Sequence, residues 1–121
     1  MPWDGATQRL QRIVGITKAM EMILIGEPID SREALRIGLL HKVVKGKELM
    51  PVVKNMANTL SLQSPLALKM AKEAINKGMD LTLEQGLQLE ADLYFLLHTT
   101  EDRTEGIRAF QEKRTPEFKG K

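Results

Sequence analysis

Apolar residues recur along this chain at helical rather than strand spacing. In residues 5–14, Leu10, Ile13 and Val14 fall on one side, and Gly15 ends the run. Ile16, Ala19, Met20, Ile23 and Leu24 continue the spacing until Gly26 stops it. Asp30-Ser31-Arg32-Glu33 reads as a capping box, with Asp30 at the N-cap and Glu33 at N3, and opens a short helix that ends at Gly38. Leu39 to Val44 is the only segment that reads as extended. A fourth helix over 47–61 turns Leu49, Val52, Val53, Met56 and Leu60 inward, and Pro51 fits it only in the first turn. Ser64-Pro65 is a start signal: serine is a preferred N-cap, and proline at N1 gives up an N–H the helix does not use. That helix carries Leu66, Leu68, Ala71, Ala74 and Ile75 and ends near Gly78.

Thr82-Leu83-Glu84-Gln85 is a second capping box and opens the longest helix, 83–98, striped by Leu87, Leu93, Tyr94 and Leu97. Glu101 and Asp102 stand in the first turn of the last helix, 101–113, where acids complement the dipole. Ile107 and Phe110 share one face of it, Pro116 breaks it, and a short polar tail follows. The pattern predicts an all-α chain of about seven helices. Several are too short to stand without tertiary packing. Tyr94, Phe95, Leu96 and Leu97 make the longest helix apolar nearly all round, the signature of burial between layers or at an oligomer interface.

Composition narrows this picture without redirecting it. The 121 residues fit one domain or part of one. Aromatics are only 4%, so Leu, Ile, Val and seven Met must fill any core. The net charge of +2 comes from interleaved acids and bases and gives no reason to expect nucleic acid. Without Cys, disulfides, thiolate chemistry and Cys-based zinc sites are excluded, and no metal or cofactor is expected. No apolar run is long enough for a transmembrane helix, and Met1-Pro2-Trp3-Asp4 has neither part of a signal peptide.

Six segments carry a resemblance when read in order. Asp4-Gly5-Ala6-Thr7-Gln8-Arg9-Leu10-Gln11-Arg12-Ile13-Val14-Gly15 comes first, followed by Ala19-Met20-Glu21 through Ile29. Glu33-Ala34-Leu35-Arg36-Ile37-Gly38-Leu39 through Val44 comes next, then Ser64-Pro65-Leu66-Ala67-Leu68, then Ala71-Lys72-Glu73-Ala74-Ile75-Asn76. Thr100-Glu101-Asp102 through Gly106, with Ala109-Phe110 and Glu112-Lys113-Arg114, closes the series. Each piece alone is weak; six in one order are specific. Together they resemble the enoyl-CoA hydratase/isomerase (crotonase) family, from a point midway along it to its C-terminal end.

The resemblance implies an acyl-CoA thioester as ligand, with coenzyme A entering as part of the substrate. It implies two backbone N–H groups that stabilise a thioester enolate and, in hydratases, a pair of Glu residues that handle water and proton. All of these fall before the segment that opens this chain, so the chain alone is expected to be inactive. Residues 1–26 would hold the end of an active-site loop and the first helices, and residues 27–121 a C-terminal helical oligomerisation region. The expected parent reaction is hydration of a 2-enoyl-CoA. The alternatives are an isomerase or another enzyme of the family, or a stand-alone helical oligomerisation module.

Five residues are candidates for the site. The resemblance places small residues where Trp3 and Asp4 stand; Asp4 is a candidate catalytic acid and Trp3 would shape the acyl pocket. Against this, Asp4 could simply cap the first helix. Tyr94 and Phe110 match places where family aromatics close the acyl pocket, or they pack in a core between the last two helices. Lys113 matches a lysine that reaches a CoA phosphate, or it is a solvated helix-end cation. His41 and His98 read as structural. The expected partners are the acyl-CoA thioester and further copies of the chain, as a trimer or hexamer, with no nucleic acid and no membrane, in the cytoplasm.

Overall fold

The computed structural model describes residues 2–121 and divides into two compact units, one up to Leu49 and one over Met50–Lys121. Seven α-helices and no strand occur among the described residues.

The first unit holds α1 (Ala6–Val14), α2 (Ile16–Met20) and α3 (Ser31–Arg36). Gly15 separates α1 from α2 at φ 82° and ψ 157°, a combination open only to glycine. The helix begun by α2 widens into a π-helical turn over Glu21–Ile25, which the periodicity does not reveal, and stops at the left-handed Gly26. Asp30 caps α3 as expected, its Oδ1 accepting the Glu33 N–H at 2.7 Å. The reciprocal half of the box is not made. Glu33 turns instead to Arg36, at 2.6 and 2.7 Å, and to Lys18 of α2, at 3.4 Å. Leu39–Val44 is irregular rather than extended. A strand needs a pairing partner, and the Leu40 N–H is already given to Ala34 O at the end of α3.

The second unit holds α4 (Leu49–Ser61) from its second residue on, then α5 (Pro65–Gly78), α6 (Leu83–Leu97) and α7 (Glu101–Glu112). A 3₁₀ turn, Gly46–Glu48, precedes α4, which puts Pro51 in the first α-helical turn. α5 and α6 pack together through the short link 79–82. Their caps are those the sequence announces. Ser64 Oγ accepts the Ala67 N–H at 3.3 Å. Thr82 and Gln85 satisfy one another's N–H groups at 3.3 and 3.1 Å.

The last helix ends otherwise than expected. Lys113, in the left-handed region, terminates it at Glu112, four residues before Pro116. The polar tail is not a loose end. It runs back along α7, and the Asp102 carboxylate receives the Lys119 N–H at 2.7 Å and the Gly120 N–H at 3.1 Å. The Asp102 N–H in turn donates to Lys121 O at 3.1 Å. Phe118 lies against Gly106.

Large side chains do not form a core. Among the described residues, those buried are Ala19, Ala34, Ala109, Ser64 and Asp102. The inward stripe expected of α4 is largely exposed: Leu49, Val53, Met56 and Leu60 all face solvent, because nothing among the described residues covers them. Leu24, Ile25, Ile75, Phe95 and Phe110 are likewise exposed, so both units carry large apolar side chains on their surfaces.

Candidate functional site

Trp3 and Asp4 belong to the first unit. Trp3 is 84% exposed. Its carbonyl accepts the Ala6 N–H at 3.4 Å, closing a turn in which Asp4 and Gly5 are both left-handed. The N-cap of α1 is Gly5, with no side-chain cap bond. The capping role for Asp4 is therefore not realised: an N-cap needs an extended backbone to swing its oxygen over the first turn, and φ 60° aims it elsewhere. The Asp4 carboxylate makes no hydrogen bond or ion pair among the described residues.

Tyr94, Phe110 and Lys113 belong to the second unit. Tyr94 is 63% exposed, so it is not a core residue of this chain. Its ring meets His98 edge-on at 4.8 Å. It lies between two apolar cavities. One, of about 400 Å³, runs between α5 and α6 past Ala67, Ala71, Leu93 and Leu97. The other, of about 280 Å³, is bounded by Ser64, Leu97, His98, Gly106 and Phe118. Phe110 is 85% exposed and lines neither cavity, so core packing between the last two helices is excluded for it as well. It shares the final turn of α7 with Lys113, whose N–H donates to Phe110 O at 3.3 Å. The end of α7 therefore carries a solvent-facing aromatic ring and a cation three residues apart.

Two acids of α7 organise this end of the second unit: Asp102, which the sequence presents as an ordinary first-turn acid, and Glu105, which it does not single out. Asp102 is only 3% exposed. Its Oδ2 accepts the Ser64 hydroxyl at 2.7 Å, which ties the N-cap of α5 to the first turn of α7. Burial pushes its carboxyl up, but donors from Ser64, Lys119, Gly120 and Lys121 outweigh this and hold it below the ordinary aspartate value. Glu105 receives both terminal nitrogens of Arg114, at 2.6 and 2.9 Å, and the Glu117 N–H at 2.9 Å. Hydrogen bonding from Arg114 pulls its carboxyl down to about 2. Glu33 in the first unit is likewise pulled to about 2, chiefly by Arg36. Neither partner of Asp102 nor of Glu105 is local: Ser64 stands 38 residues away and Arg114 nine. No spacing rule announces either contact.

Among the described residues, no group of three or more His, Cys, Asp or Glu is placed to hold a metal ion. No helix there is long and apolar enough to cross a membrane.

Comparison with known proteins converges on one group. A family model described as enoyl-CoA hydratase/isomerase matches residues 1–121. The 2,3-dehydroadipyl-CoA hydratase of Escherichia coli K12 is 43% identical over all of this chain and 48% of its own length. The structure also resembles a crystal structure of an enoyl-CoA hydratase from Geobacillus kaustophilus HTA426. That match has a TM-score of 0.94 and 40% identity, over 100% of this chain and 47% of that one. The enoyl-CoA hydratase of Bacillus anthracis matches equally well, with a TM-score of 0.94 and 41% identity over 97% of this chain and 45% of that one. The chain thus spans about half the length of the curated relatives it matches.

Proposed function

Because the chain belongs to the enoyl-CoA hydratase/isomerase family, we propose that it forms the C-terminal half of an enzyme that hydrates 2-enoyl-CoA thioesters. Its part is to face the acyl-CoA and to assemble the enzyme, and by itself it does not turn substrate over. The observation that carries this reading is the end of α7. That helix buries Ala109 and Asp102, yet sends Phe110 to solvent beside Lys113. An apolar ring and an ammonium group at that spacing suit a ligand that joins an acyl chain to phosphates. Tyr94, at the junction of two apolar cavities, supplies a second aromatic wall.

Hydration needs donors preorganised around an enolate oxygen and a carboxyl that trades protons near neutrality. Glu33 and Glu105, pulled to about 2, are fixed anions, and so is Asp102, held below its ordinary value. These acids serve as anchors, and in this reading the proton-handling pair and the oxyanion donors come from the remainder of the enzyme. The exposed apolar side chains, among them Leu49, Leu60, Ile75 and Phe95, support association into a trimer or hexamer, since uncovered apolar surface favours burial against a partner. Absence of Cys is compatible with a reducing cytoplasm.

The test uses the purified chain. It should bind a saturated acyl-CoA in calorimetry, scatter light as a multiple of 13.6 kDa, and leave the ultraviolet band of crotonyl-CoA unchanged. Sustained hydration at the rate of a whole enzyme would overturn the inactive-half reading, and a strict monomer over a wide concentration range would overturn the assembly role. One observation favours a second reading, an isomerase or a related enolate reaction. Asp4 has an uncommitted carboxylate in a left-handed turn beside the exposed Trp3. Loss of isomerisation, but not hydration, in an Asp4→Asn variant of the assembled enzyme would select it.

A further inference from the structure

α7 ends on a residue that ordinarily resists the conformation it holds. Lys113 sits at φ 53° and ψ 39°. There an L side chain crowds the following carbonyl, and glycine is the usual occupant of such a helix end. Glycine does occupy the left-handed position after two other helices of this chain, at Gly26 and Gly38. A non-glycine residue persists in that region when its surroundings over-determine it.

Those surroundings are specific. Arg114, the next residue, places Nη1 and Nη2 on the two carboxylate oxygens of Glu105, at 2.6 and 2.9 Å. Its Nε reaches Glu112 at 2.6 Å. Glu105 also accepts the Glu117 N–H, so it grips the chain on both sides of residue 115. A guanidinium fork suits phosphate better than an ammonium does. Here, however, the fork is filled by a carboxylate of its own chain. Lys113 makes no ion pair among the described residues. Of the two neighbouring cations, it is the one left for an external anion.

We propose that Glu105 and Arg114 are positioning residues, whose two-point ion pair holds the left-handed turn that presents the Lys113 ammonium to a phosphate-bearing ligand. This rests on the reading of the end of α7 as an acyl-CoA contact. The pair touches no ligand and acts through the backbone of residues 113–117.

The experiment compares butyryl-CoA with butyryl-pantetheine, which carries the same acyl group and no phosphate, on the full chain and on Glu105→Gln, Lys113→Ala and the double variant. The Glu105→Gln change keeps the side-chain length and an oxygen that can still accept the Glu117 N–H. It should weaken butyryl-CoA about three- to tenfold and leave butyryl-pantetheine unchanged. In the Lys113→Ala background it should cost nothing further. Equal losses on both ligands, or additive losses in the double variant, would overturn the proposal in favour of a general structural role. Should Glu105→Gln not fold, Arg114→Lys removes the fork, keeps the charge, and should show the same pattern. If the unaltered chain binds no butyryl-CoA, the acyl-CoA reading fails, and positioning is then decided by the intraresidue amide-to-Hα nuclear Overhauser effect of Lys113, which is distinctively strong at positive φ. It should be strong in the parent chain and fall to the level of ordinary negative-φ residues in Glu105→Gln. An unchanged effect would refute positioning.

Discussion

Replacing Asp102 by alanine separates two roles that the carboxylate could have. As a first-turn acid it would contribute only the dipole interaction, about 0.3–1 kcal/mol. The structure gives it more to lose. Its carboxylate accepts the Ser64 hydroxyl at 2.7 Å, the Lys119 N–H at 2.7 Å and the Gly120 N–H at 3.1 Å, at a side chain 3% exposed. Removing it lets the tail detach, so the two amides reach water and cost about the net worth of a hydrogen bond, roughly 1–1.5 kcal/mol each. The Ser64 hydroxyl remains largely buried and costs about 1 kcal/mol more. The sum is about 3–4 kcal/mol, several times the dipole value. At about 4–8 °C per kcal/mol for a unit of this size, melting should fall by at least about 12 °C. The neighbouring Glu101→Ala, which removes an exposed first-turn acid with no such contacts, is the control. Circular dichroism melts supply the temperatures, and amide hydrogen exchange should show Lys119 and Gly120 losing protection in Asp102→Ala alone. If the two variants melt within about 3 °C of each other, or if both amides stay protected without the carboxylate, the latch account is wrong.

Three further outcomes follow from the same geometry. Lys113→Gly should raise stability by about 0.5–1 kcal/mol, by relieving the left-handed strain, while weakening affinity for a CoA ester; a rise in melting temperature without loss of affinity would detach Lys113 from ligand binding. Phe110→Ala should change stability by less than about 0.5 kcal/mol, because the ring is exposed, yet lower acyl-CoA affinity in calorimetry; a large drop in melting temperature would mean the ring is packed in solution. Acid should loosen the tail. Glu105 falls from 4.5 to about 2 and Asp102 lies below 3.8, so the unfolded chain binds more protons as pH drops. Their stabilisation is complete above the unfolded values and is lost as pH falls through the folded ones. Urea midpoints should therefore decline between about pH 5 and pH 2, and a flat profile would contradict this.

What the sequence makes legible is local. Ser64-Pro65 and Thr82 with Gln85 announce helix starts because the bonds they make close within three residues. Asp30 shows the limit of the same rule. Its own half of the box forms, but Glu33 has a choice, and a charged partner outcompetes a neutral N–H. The stripe on α4 is correctly periodic, but periodicity says that a face is apolar, not what covers it. Tyr94 and Phe110 are found through the resemblance, and their exposure is not visible to periodicity, which groups them with core residues. Asp102, Glu105 and Arg114 stay hidden because their partners are set by how the chain turns back after α7. Apolar spacing locates the short helix 16–25, and the Asp30 cap locates the start of the helix 31–36, but the π-helical turn within the first leaves no mark on the spacing.

The tail clasp has a consequence for how this molecule tolerates change. Asp102 holds residues 119 and 120 by their amides, and residue 121 by its carbonyl, so it reads the main chain and no side chain. Substitution at 119 or 121 should be nearly indifferent to charge sign and size, with proline at 119 excluded for want of an N–H. Gly120 is the exception, fixed by its φ of 72°. The grip is thus asymmetric: strict identity on the accepting helix, near-indifference on the segment it holds. A library randomised over both sides would keep Asp102 and Gly120 and scramble their neighbours.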